Sequence, residues 1–350
     1  MEIVVLITGV GAPGTKGTLY SLKNNFDGRK IRTVGTDTSG DVVGKYLCDN
    51  FYKVPNPLED CFIPELLKIC EREKVDVILP QTTNELFKLS KFSKEFEKIG
   101  TKVAISSLEA IELSNNKYEL MKISKDIGLP TARFYLVNNF NDLERYAEKL
   151  GWPSKPVVVK PPVSSGMRGL RIIDEKIDRK KSFYSEKPTA TYLKLNELKE
   201  IIGERFSELL LTEFLPGKEY TVDVLRANNT TIVPRSRDLI RTGITFNGTV
   251  EKNEEIIKAS EKLSEKLGLK YAFGFQFKLD ENETPKVIEC NPRIQGTMVL
   301  STLAGANIIY GAVKYALGED VPEFKIKWGT RLLRYWGGIG VYNNTIEEII

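Results

Sequence analysis

The chain has 350 residues, enough for two or three subdomains, and its 41% apolar and 28% charged residues are typical of a soluble globular protein. It has no histidine, which excludes Ser-His-Asp and Cys-His catalysis and histidine-based zinc sites. The net charge of +4 is too small to indicate a nucleic-acid-binding surface.

Cysteine usage and the first residues suggest a compartment. Cys48, Cys61, Cys70 and Cys290 show no CxxC spacing, and the opening MEIVVLITGV lacks the basic start of a secretion signal. No apolar run approaches the ~20 residues of a membrane-spanning helix. These features predict a cytoplasmic protein with reduced thiols and no membrane partner.

The chain opens with a strand, a glycine-rich turn, a helix and a second strand. Residues 2–8 (EIVVLIT) predict an apolar strand, and Gly9, Gly11 and Gly14 in the following turn satisfy GxGxxG. Asp37 ends the second strand, where a dinucleotide-binding fold places its ribose-binding acid. Two interpretations remain open here: a dinucleotide site, or glycines needed only for a tight turn.

Alternating helices and strands continue to about residue 112. This pattern predicts an open, mostly parallel α/β sheet, in which ligands gather at the carboxyl ends of the strands. Asn84 and Glu85, just past VILPQ, are candidates for substrate contacts or for capping the next helix.

A new pattern starts with SNNKYELMKISKDIGLP, an N-capped helix with Lys117 in its first turn. The later strand Val157 to Lys160 is broken by two prolines, and the loop Ser164 to Gly169 precedes a further strand. This arrangement predicts a lid whose N–H groups cover phosphates while Lys160 supplies a positive charge, or a plain surface hairpin.

The next strand breaks at residues 215–217, with Glu213 before the break and Glu219 after it. Such a break exposes main-chain groups to an adenine edge and offers acids to the amine and the ribose, although a hairpin corner with surface glutamates also fits. Three arginines beyond it suit an anionic group of a second substrate or a solvated strand edge: Arg235, Arg237 and Arg241.

Residues 274–296 predict a β-hairpin with different chemistry on its two faces. With a turn at 281–284, Gln276 lies opposite Glu289 and shares a face with Asn291. Carboxylate and amide oxygens are ligands that Mg²⁺ prefers, and phosphate oxygens would complete the shell. The opposite face is predicted to be apolar and consists of Phe275, Phe277, Ile288 and Cys290.

Arg293 follows the hairpin after Pro292 and places a positive charge where a transferring phosphoryl group would need one. Near the end of the chain, WGTRLLRYWGGIGVYNN predicts a pair of strands. The final TIEEII predicts either the start of a helix or a truncated element.

Taken together, the two lysines, the SSGMRG loop, the EFLPGKE break and the hairpin residues resemble the ATP-grasp superfamily, especially its carbamoyl-phosphate-synthase-type members. The resemblance covers about residues 1–330. It implies an α/β fold in three parts: a Rossmann-like pre-ATP-grasp domain (1–112), a small lid subdomain (113–208), and a C-terminal metal and nucleotide subdomain with closing strands (209–350).

The resemblance also assigns roles to individual residues. Phosphates would be bound by Lys117, Lys160, Ser164, Ser165, Gly166 and Gly169. Adenine would be held by Glu213, Phe214 and Leu215, and the ribose by Glu219. The ligands for Mg²⁺, or alternatively Mn²⁺, would be Gln276, Glu289 and Asn291. Arg293 and Lys160 would be the catalytic residues.

The implied activity is that of an ATP-dependent carboxylate–amine ligase, which forms an amide through an acyl phosphate and releases ADP. Its partners would be a small carboxylate and a small amine, with a homodimer left open. A non-catalytic ATP-binding regulatory module and a nicotinamide-dependent oxidoreductase are the alternatives. Carbamoyl phosphate synthesis itself is not expected, because the sequence has one such unit rather than two.

Overall fold

The computed structural model describes residues 2–164, 166–185, 190–241, 243–335, 337–342 and 345–349. The chain forms two compact units. The first comprises residues 1–115, 219–277 and 290–350, and the second comprises residues 116–218 and 278–289. No helix in these described ranges combines the length and apolar character needed to span a membrane.

The N-terminal part of the first unit is a parallel α/β sheet. Its strands are β1 (Ile3–Thr8), β2 (Ile31–Asp37), β3 (Asn50–Lys53), β4 (Val77–Leu79) and β5 (Lys102–Val103). Its helices are α1 (Thr15–Lys23), α2 (Gly44–Leu47), α3 (Phe62–Glu73), α4 (Leu86–Lys91), α5 (Ser93–Lys98) and α6 (Leu108–Asn115). The order is β3-β2-β1-β4-β5 with every pair parallel. The predicted parallel sheet is confirmed, and α4 and α5 follow each other with Phe92 between them.

The second unit is built around a mostly antiparallel sheet, in which only β8 and β9 pair parallel. Its helices are α7 (Lys117–Asp126), α8 (Phe140–Leu150), α9 (Arg179–Ser185) and α10 (Leu195–Ile202). Its strands are β6 (Phe134–Asn139), β7 (Val157–Lys160), β8 (Arg171–Ile173), β9 (Tyr192–Leu193) and β10 (Arg205–Glu213). In the order β6-β10-β7-β8-β9, β10 pairs antiparallel with both neighbours. The amphipathic α8 buries Phe140, Leu143, Ala147 and Leu150 in the core of this unit.

The remaining strands are β11 (Glu219–Arg226), β12 (Thr230–Ser236), β13 (Leu239–Arg241), β14 (Ile244–Thr249), β15 (Tyr271–Leu279), β16 (Pro285–Asn291), β17 (Arg331–Leu333), β18 (Gly338–Tyr342) and β19 (Thr345–Ile349). The remaining helices are α11 (Glu254–Lys266), α12 (Val299–Leu303) and α13 (Ile308–Ala316). These strands form three sheets, with the orders β12-β11-β15-β16, β13-β14-β17 and β18-β19. Within the first unit, α12 and α13 pack against α1 and share one apolar core with β1.

The hairpin of β15 and β16 differs from its prediction in detail. The turn is closed one residue earlier, by a hydrogen bond from Asp280 N–H to Thr284 O (3.1 Å). The Asp280 carboxylate caps it by accepting from Asn282 N–H and Thr284 N–H, and Glu283 takes a left-handed φ of 61°. Phe275, Phe277 and Cys290 are buried as predicted. Ile288 was wrongly assigned to that face, because it is half buried in an apolar cluster of the second unit.

The segment predicted as a strand pair, residues 328–344, contains β17 and β18, but the predicted pairing was wrong, because β17 pairs with β14 and β18 pairs with β19. Trp336, Asn343 and Asn344 of that prediction lie outside the described residues. The possible helix start at TIEEII was wrong. Residues 345–349 form β19 instead, which pairs antiparallel with β18. The three-part domain division stays a prediction, because compact units are defined by contacts and domains by independent folding.

Candidate functional site

Two buried lysines of the second unit form the centre of the candidate site. Lys117 begins α7 and is 3% exposed, and Lys160 ends β7 and is 7% exposed. Lys117 Nζ donates to Ser164 O (2.8 Å), and Lys160 Nζ donates to Ile288 O (3.2 Å). Lysine is rarely buried unless its charge is compensated, so this placement indicates an anionic ligand or partner.

The charge of Glu289 only partly balances the effect of burial on Lys117. Burial lowers the pKa of Lys117, and the nearby charge of Glu289 only partly opposes that effect. Glu289 Oε2 lies 4.0 Å from Nζ, beyond hydrogen-bonding distance. A further anion beside Lys117 would therefore stabilise its ammonium form.

Local hydrogen bonds place Lys117 at the first position of α7. Asn116 caps α7, with its side chain accepting from Tyr118 N–H (3.0 Å) and Glu119 N–H (3.3 Å). Lys117 N–H instead donates to Pro162 O (2.8 Å), at the start of the predicted lid loop. The capped helix, the loop and β7 thus hold the two lysines in one unit.

The lid loop is exposed at its tip. Gly166 and Gly169 have positive φ values of 62° and 74°, and a Cβ on Gly169 would lie 2.6 Å from Pro161 Cδ. Residues 167–170 form a turn that is closed by Leu170 N–H donating to Met167 O (3.2 Å). Ser165, a predicted phosphate ligand, lies outside the described residues.

An apolar cluster lies beside the lysines in the second unit. Met121, Ala132, Leu210 and Leu215 are buried in it, and Tyr118, Phe134 and Ile288 pack against it. Phe214, which precedes the strand break at residues 215–217, is half buried. Lys278 Nζ lies 5.2 Å from the centroid of its ring. A flat apolar ring system would find suitable surroundings here.

The Glu213 carboxylate is already bound by two cations. It accepts from Arg133 Nε (2.8 Å) and Lys286 Nζ (3.0 Å). Burial raises the pKa of Glu213, but these hydrogen bonds outweigh that effect and the pKa is lowered overall. The carboxylate thus joins β10 to β16.

Glu219, predicted to bind ribose, lies in the first unit and forms a short ion pair with Arg237. Arg237 also donates to Thr245 Oγ1 (3.0 Å) and Gly243 O (2.5 Å). Arg241 is exposed, with its guanidinium over the Phe246 ring. Sequence reasoning could not foresee these pairings, because they depend on how β12, β13 and β14 pack.

Arg235 is the largest fully buried side chain among the described residues and is 1% exposed. Its Nε and Nη2 donate to Asp223 (2.8 and 3.1 Å), and Ser301 Oγ donates to the same carboxylate (2.7 Å). Within the described part of the chain, Arg235 Nη1 and the buried Gln295 Nε2 have no hydrogen-bond partner. Burial lowers the pKa of Arg334, and the nearby charge of Arg235 lowers it further.

The predicted metal ligands and the catalytic arginine have defined places. Gln276 and Asn291 lie on the parts of β15 and β16 that belong to the first unit, and Glu289 belongs to the second. Arg293 donates from Nη1 to Ile294 O (2.8 Å) and from Nη2 to Asn291 Oδ1 (3.3 Å). These contacts fix the guanidinium beside Asn291.

The glycine-rich turn after β1 is filled by the chain itself. Asp37 accepts from Gly11 N–H (2.8 Å) and Ser39 N–H (3.0 Å). A Cβ on Gly14 would lie 2.7 Å from Gly296 Cα. The glycines therefore permit close packing, and the acid expected to bind ribose holds the turn.

Several contributing residues were missed by sequence reasoning. Arg133, Lys286, Gln295 and Arg334 stand in no recognisable motif. Their roles arise from contacts between distant positions, such as Lys286 with Glu213.

Comparison with known families agrees with this architecture. Residues 205–333 match the family described as ATP-grasp in the biosynthetic pathway with Ter operon, and residues 5–104 match the PylC-like N-terminal domain. These two matches support an ATP-grasp protein with a PylC-like N-terminal domain.

Curated relatives make the likeness more specific. The chain is 22% identical over 277 residues to the carbamoyl phosphate synthase large chain of Clostridium acetobutylicum, covering 76% of this chain and 24% of that protein. It is 25% identical over 296 residues to that of Caldanaerobacter subterraneus, covering 80% and 25%. It spans about a quarter of the length of these relatives and is carbamoyl-phosphate-synthase-like.

Solved structures show the same fold. Biotin carboxylase from Campylobacter jejuni, in a β,γ-ATP complex, has a TM-score of 0.68 and 19% identity, covering 92% of this chain and 73% of that one. N5-carboxyaminoimidazole synthetase from Staphylococcus aureus, complexed with ADP, has a TM-score of 0.68 and 19% identity, covering 93% and 81%. The predicted α/β fold, with a pre-ATP-grasp domain and an ATP-grasp fold, is confirmed.

Proposed function

We propose that this protein is an ATP-dependent carboxylate–amine ligase of the cytoplasm that forms an amide through an acyl phosphate. The observation that carries the proposal is the buried pair Lys117 and Lys160, together with the lowered pKa of Lys117. Triphosphate oxygens would supply the missing negative charge. The apolar cluster around Leu215 and Ile288 would take the adenine ring.

The donor chemistry fits magnesium held jointly with phosphate. No group of three or more acidic, cysteine or histidine side chains in the described residues could hold a metal by itself. Glu289 with the amides of Gln276 and Asn291 offers oxygen ligands and one negative charge, which suits Mg²⁺ shared with a nucleotide, and Mn²⁺ has similar preferences. When bound, the ion would neutralise charge on the phosphates.

The chain's own residues would hold and orient the reacting groups. Lys117 and Lys160 would bind phosphate oxygens, and Arg293 would face the γ-phosphoryl group. A substrate carboxylate oxygen attacks the γ-phosphorus, the bond to the β-phosphate oxygen breaks, and ADP leaves. The amine then attacks the acyl carbon, the carbon–oxygen bond to phosphate breaks, and the amine nitrogen loses a proton.

The substrate carboxylate would have a receptor in the first unit. Arg235 Nη1 and Gln295 Nε2 are buried donors without a partner in the described residues, and an unpaired buried donor costs free energy. A carboxylate accepting from them would remove that cost.

A homodimer is also part of the proposal, and light scattering would test it.

The test is Glu289→Gln, which removes the charge of the proposed metal ligands and keeps their shape. ADP release would be measured with Mg-ATP and a panel of amino acids and small carboxylates, and hydroxylamine would trap acyl phosphate as a coloured hydroxamate. We expect a loss in rate on the order of 100-fold or more, with smaller change in nucleotide affinity.

Three outcomes would contradict the proposal. Near-native ADP release by Glu289→Gln would remove Glu289 from the metal site. ADP release without hydroxamate would argue against the acyl phosphate. ATP binding without turnover on any panel member would favour the non-catalytic regulatory module.

A further inference from the structure

Glu85 is a buried carboxyl that the proposed reaction does not use. It is 2% exposed, and its Oε1 accepts from Thr82 N–H (2.8 Å), Gln81 N–H (3.1 Å) and the Thr8 hydroxyl. Burial raises its pKa against these hydrogen bonds, and no cation of the described residues forms a salt bridge with it. Such a group is costly to bury, so we asked what it holds in place.

The part held by Glu85 is the loop after β4, residues 81–84. Gln81 Nε2 donates to Thr8 O (3.2 Å), which joins the loop to the end of β1. Thr82 packs so closely on Gly9 that a Cβ there would lie 2.2 Å from its methyl carbon. The loop is therefore fixed by hydrogen bonds on one side and by packing on the other.

Thr83, in the same loop, reaches the proposed catalytic arginine. Arg293 Nε donates to Thr83 Oγ1 (3.2 Å), and its other nitrogens donate to Ile294 O and Asn291 Oδ1. A guanidinium is planar, so three contacts in different directions define its orientation. Thr83 is the contact that comes from the N-terminal sheet.

We propose that Glu85 is a positioning residue, which orients Arg293 by fixing the loop that carries Thr83. Its importance for catalysis rests on the proposed function. Asn84 and Glu85 were candidates for substrate contacts, and this inference gives Glu85 an indirect role instead. Small displacements of a catalytic group cost on the order of 10- to 100-fold in rate.

The first experiment measures the orientation of Arg293 without any substrate. The hydrogen exchange rate of Arg293 Nε–H would be followed by NMR, with the signal assigned by its absence in Arg293→Lys. We expect slow exchange in the native protein and in Thr83→Ser, which keeps the hydroxyl. Exchange should be at least tenfold faster in Thr83→Val, which has no hydroxyl, and in Glu85→Gln, because a neutral amide oxygen accepts the three hydrogen bonds more weakly than a carboxylate.

The second experiment measures turnover with ATP, MgCl₂, hydroxylamine and a mixture of the twenty L-amino acids. Thr83→Val and Glu85→Gln should lower kcat 10- to 100-fold and leave the KM for ATP unchanged. Thr83→Ser, which keeps the hydroxyl, should have the native rate. A merely structural role would not produce this separation of kcat from KM. Thermal unfolding would verify that each variant is folded, and Thr83→Val keeps the test valid if Glu85→Gln does not fold.

The two experiments separate the two proposals. Unchanged exchange in folded Glu85→Gln, or in Thr83→Val, would overturn the positioning role whatever the activity. Absence of turnover in the native protein would count against the ligase, while the exchange rates would still decide how Arg293 is held. Faster exchange with unaltered kcat would show that the contact exists but does not serve catalysis, which also contradicts the inference.

Discussion

Two glycine-containing loops follow buried strands in this chain, and both suggest phosphate binding from sequence. In the turn after β1, residues 9–14, Gly14 packs on Gly296 and the N–H of Gly11 donates to Asp37. The loop after β7 lies beside Lys117 and Lys160, which are buried, and burial lowers the pKa of Lys117. What fills the space around a glycine, rather than its spacing, separates these two loops.

The comparison explains why a glycine fingerprint is a weak predictor. Glycine permits close approach of a ligand or of the protein's own backbone, and both uses produce the same letters. Buried lysines are more informative, because burying an ammonium group is costly unless an anion compensates it. The dinucleotide alternative therefore loses its support at the first loop, and the ATP site is proposed at the second.

The largest expected effect comes from removing charge at the second loop. Lys160→Ala should weaken ATP binding on the order of 100-fold, because it removes a buried group that holds a charge-assisted hydrogen bond. Isothermal titration calorimetry would measure the Kd. Lys155→Ala is the matched control, since Lys155 belongs to the same unit and is exposed in an ion pair with Glu281. Equal affinities for native protein and Lys160→Ala would contradict the proposed phosphate site.

The next effect is on folding, at the first loop. Gly14→Ala should lower the free energy of unfolding by about 1–3 kcal/mol, because its φ of −85° suits alanine but Gly296 occupies the space. Thermal unfolding would show this, while the ATP Kd should stay unchanged. Gly40→Ala is the control, since a Cβ there meets only the flexible Lys53 side chain at 3.6 Å. Lost nucleotide binding without lost stability would restore the dinucleotide interpretation.

A smaller effect is expected at the acid of the first loop. Asp37→Ala removes the acceptor for Gly11 N–H and Ser39 N–H, and should cost roughly 1–2 kcal/mol of stability with the ATP Kd unchanged. Chemical denaturation and titration with ATP and NADH would measure both quantities. Tight NADH binding that this change abolishes would reverse the comparison.

Much of the fold followed from the sequence, because periodic burial sets local structure. The continuous apolar run of β1 predicted a buried parallel strand, and the Asn116 cap predicted the start of α7. The hairpin turn was one residue off because the Asp280 side chain caps it, a choice that depends on local geometry. Glu219 was assigned without knowing that β12 brings Arg237 against it.

The candidate site was predicted less completely, for a physical reason. The lysines and hairpin residues follow a recognisable order, whereas Glu213 was assigned to adenine and is bound by Arg133 and Lys286. Those partners come from positions 80 and 73 residues away in sequence. Such pairings are set by tertiary packing, which no local pattern encodes.

The smallest expected effect is on how the stability of the second unit depends on pH. The folded-state pKa of Glu213 lies below its ordinary value of 4.5, because Arg133 and Lys286 outweigh the effect of burial. Its contribution to stability is therefore complete above pH 4.5 and is lost as the pH falls through the lower folded value. Glu213→Gln has no such titration, so its unfolding midpoint should fall less steeply than that of the native protein between pH 5 and pH 3.

Thermal unfolding at several pH values would measure this difference, which we expect to amount to about 1 kcal/mol at neutral pH. Glu208→Gln, an exposed position on the same strand, should keep the native pH dependence. Glu85 should behave in the opposite way, because burial raises its pKa and its ionisation destabilises the fold as the pH rises. If Glu213→Gln and native protein lose stability in parallel below pH 5, the ion cluster between β10 and β16 does not stabilise the second unit.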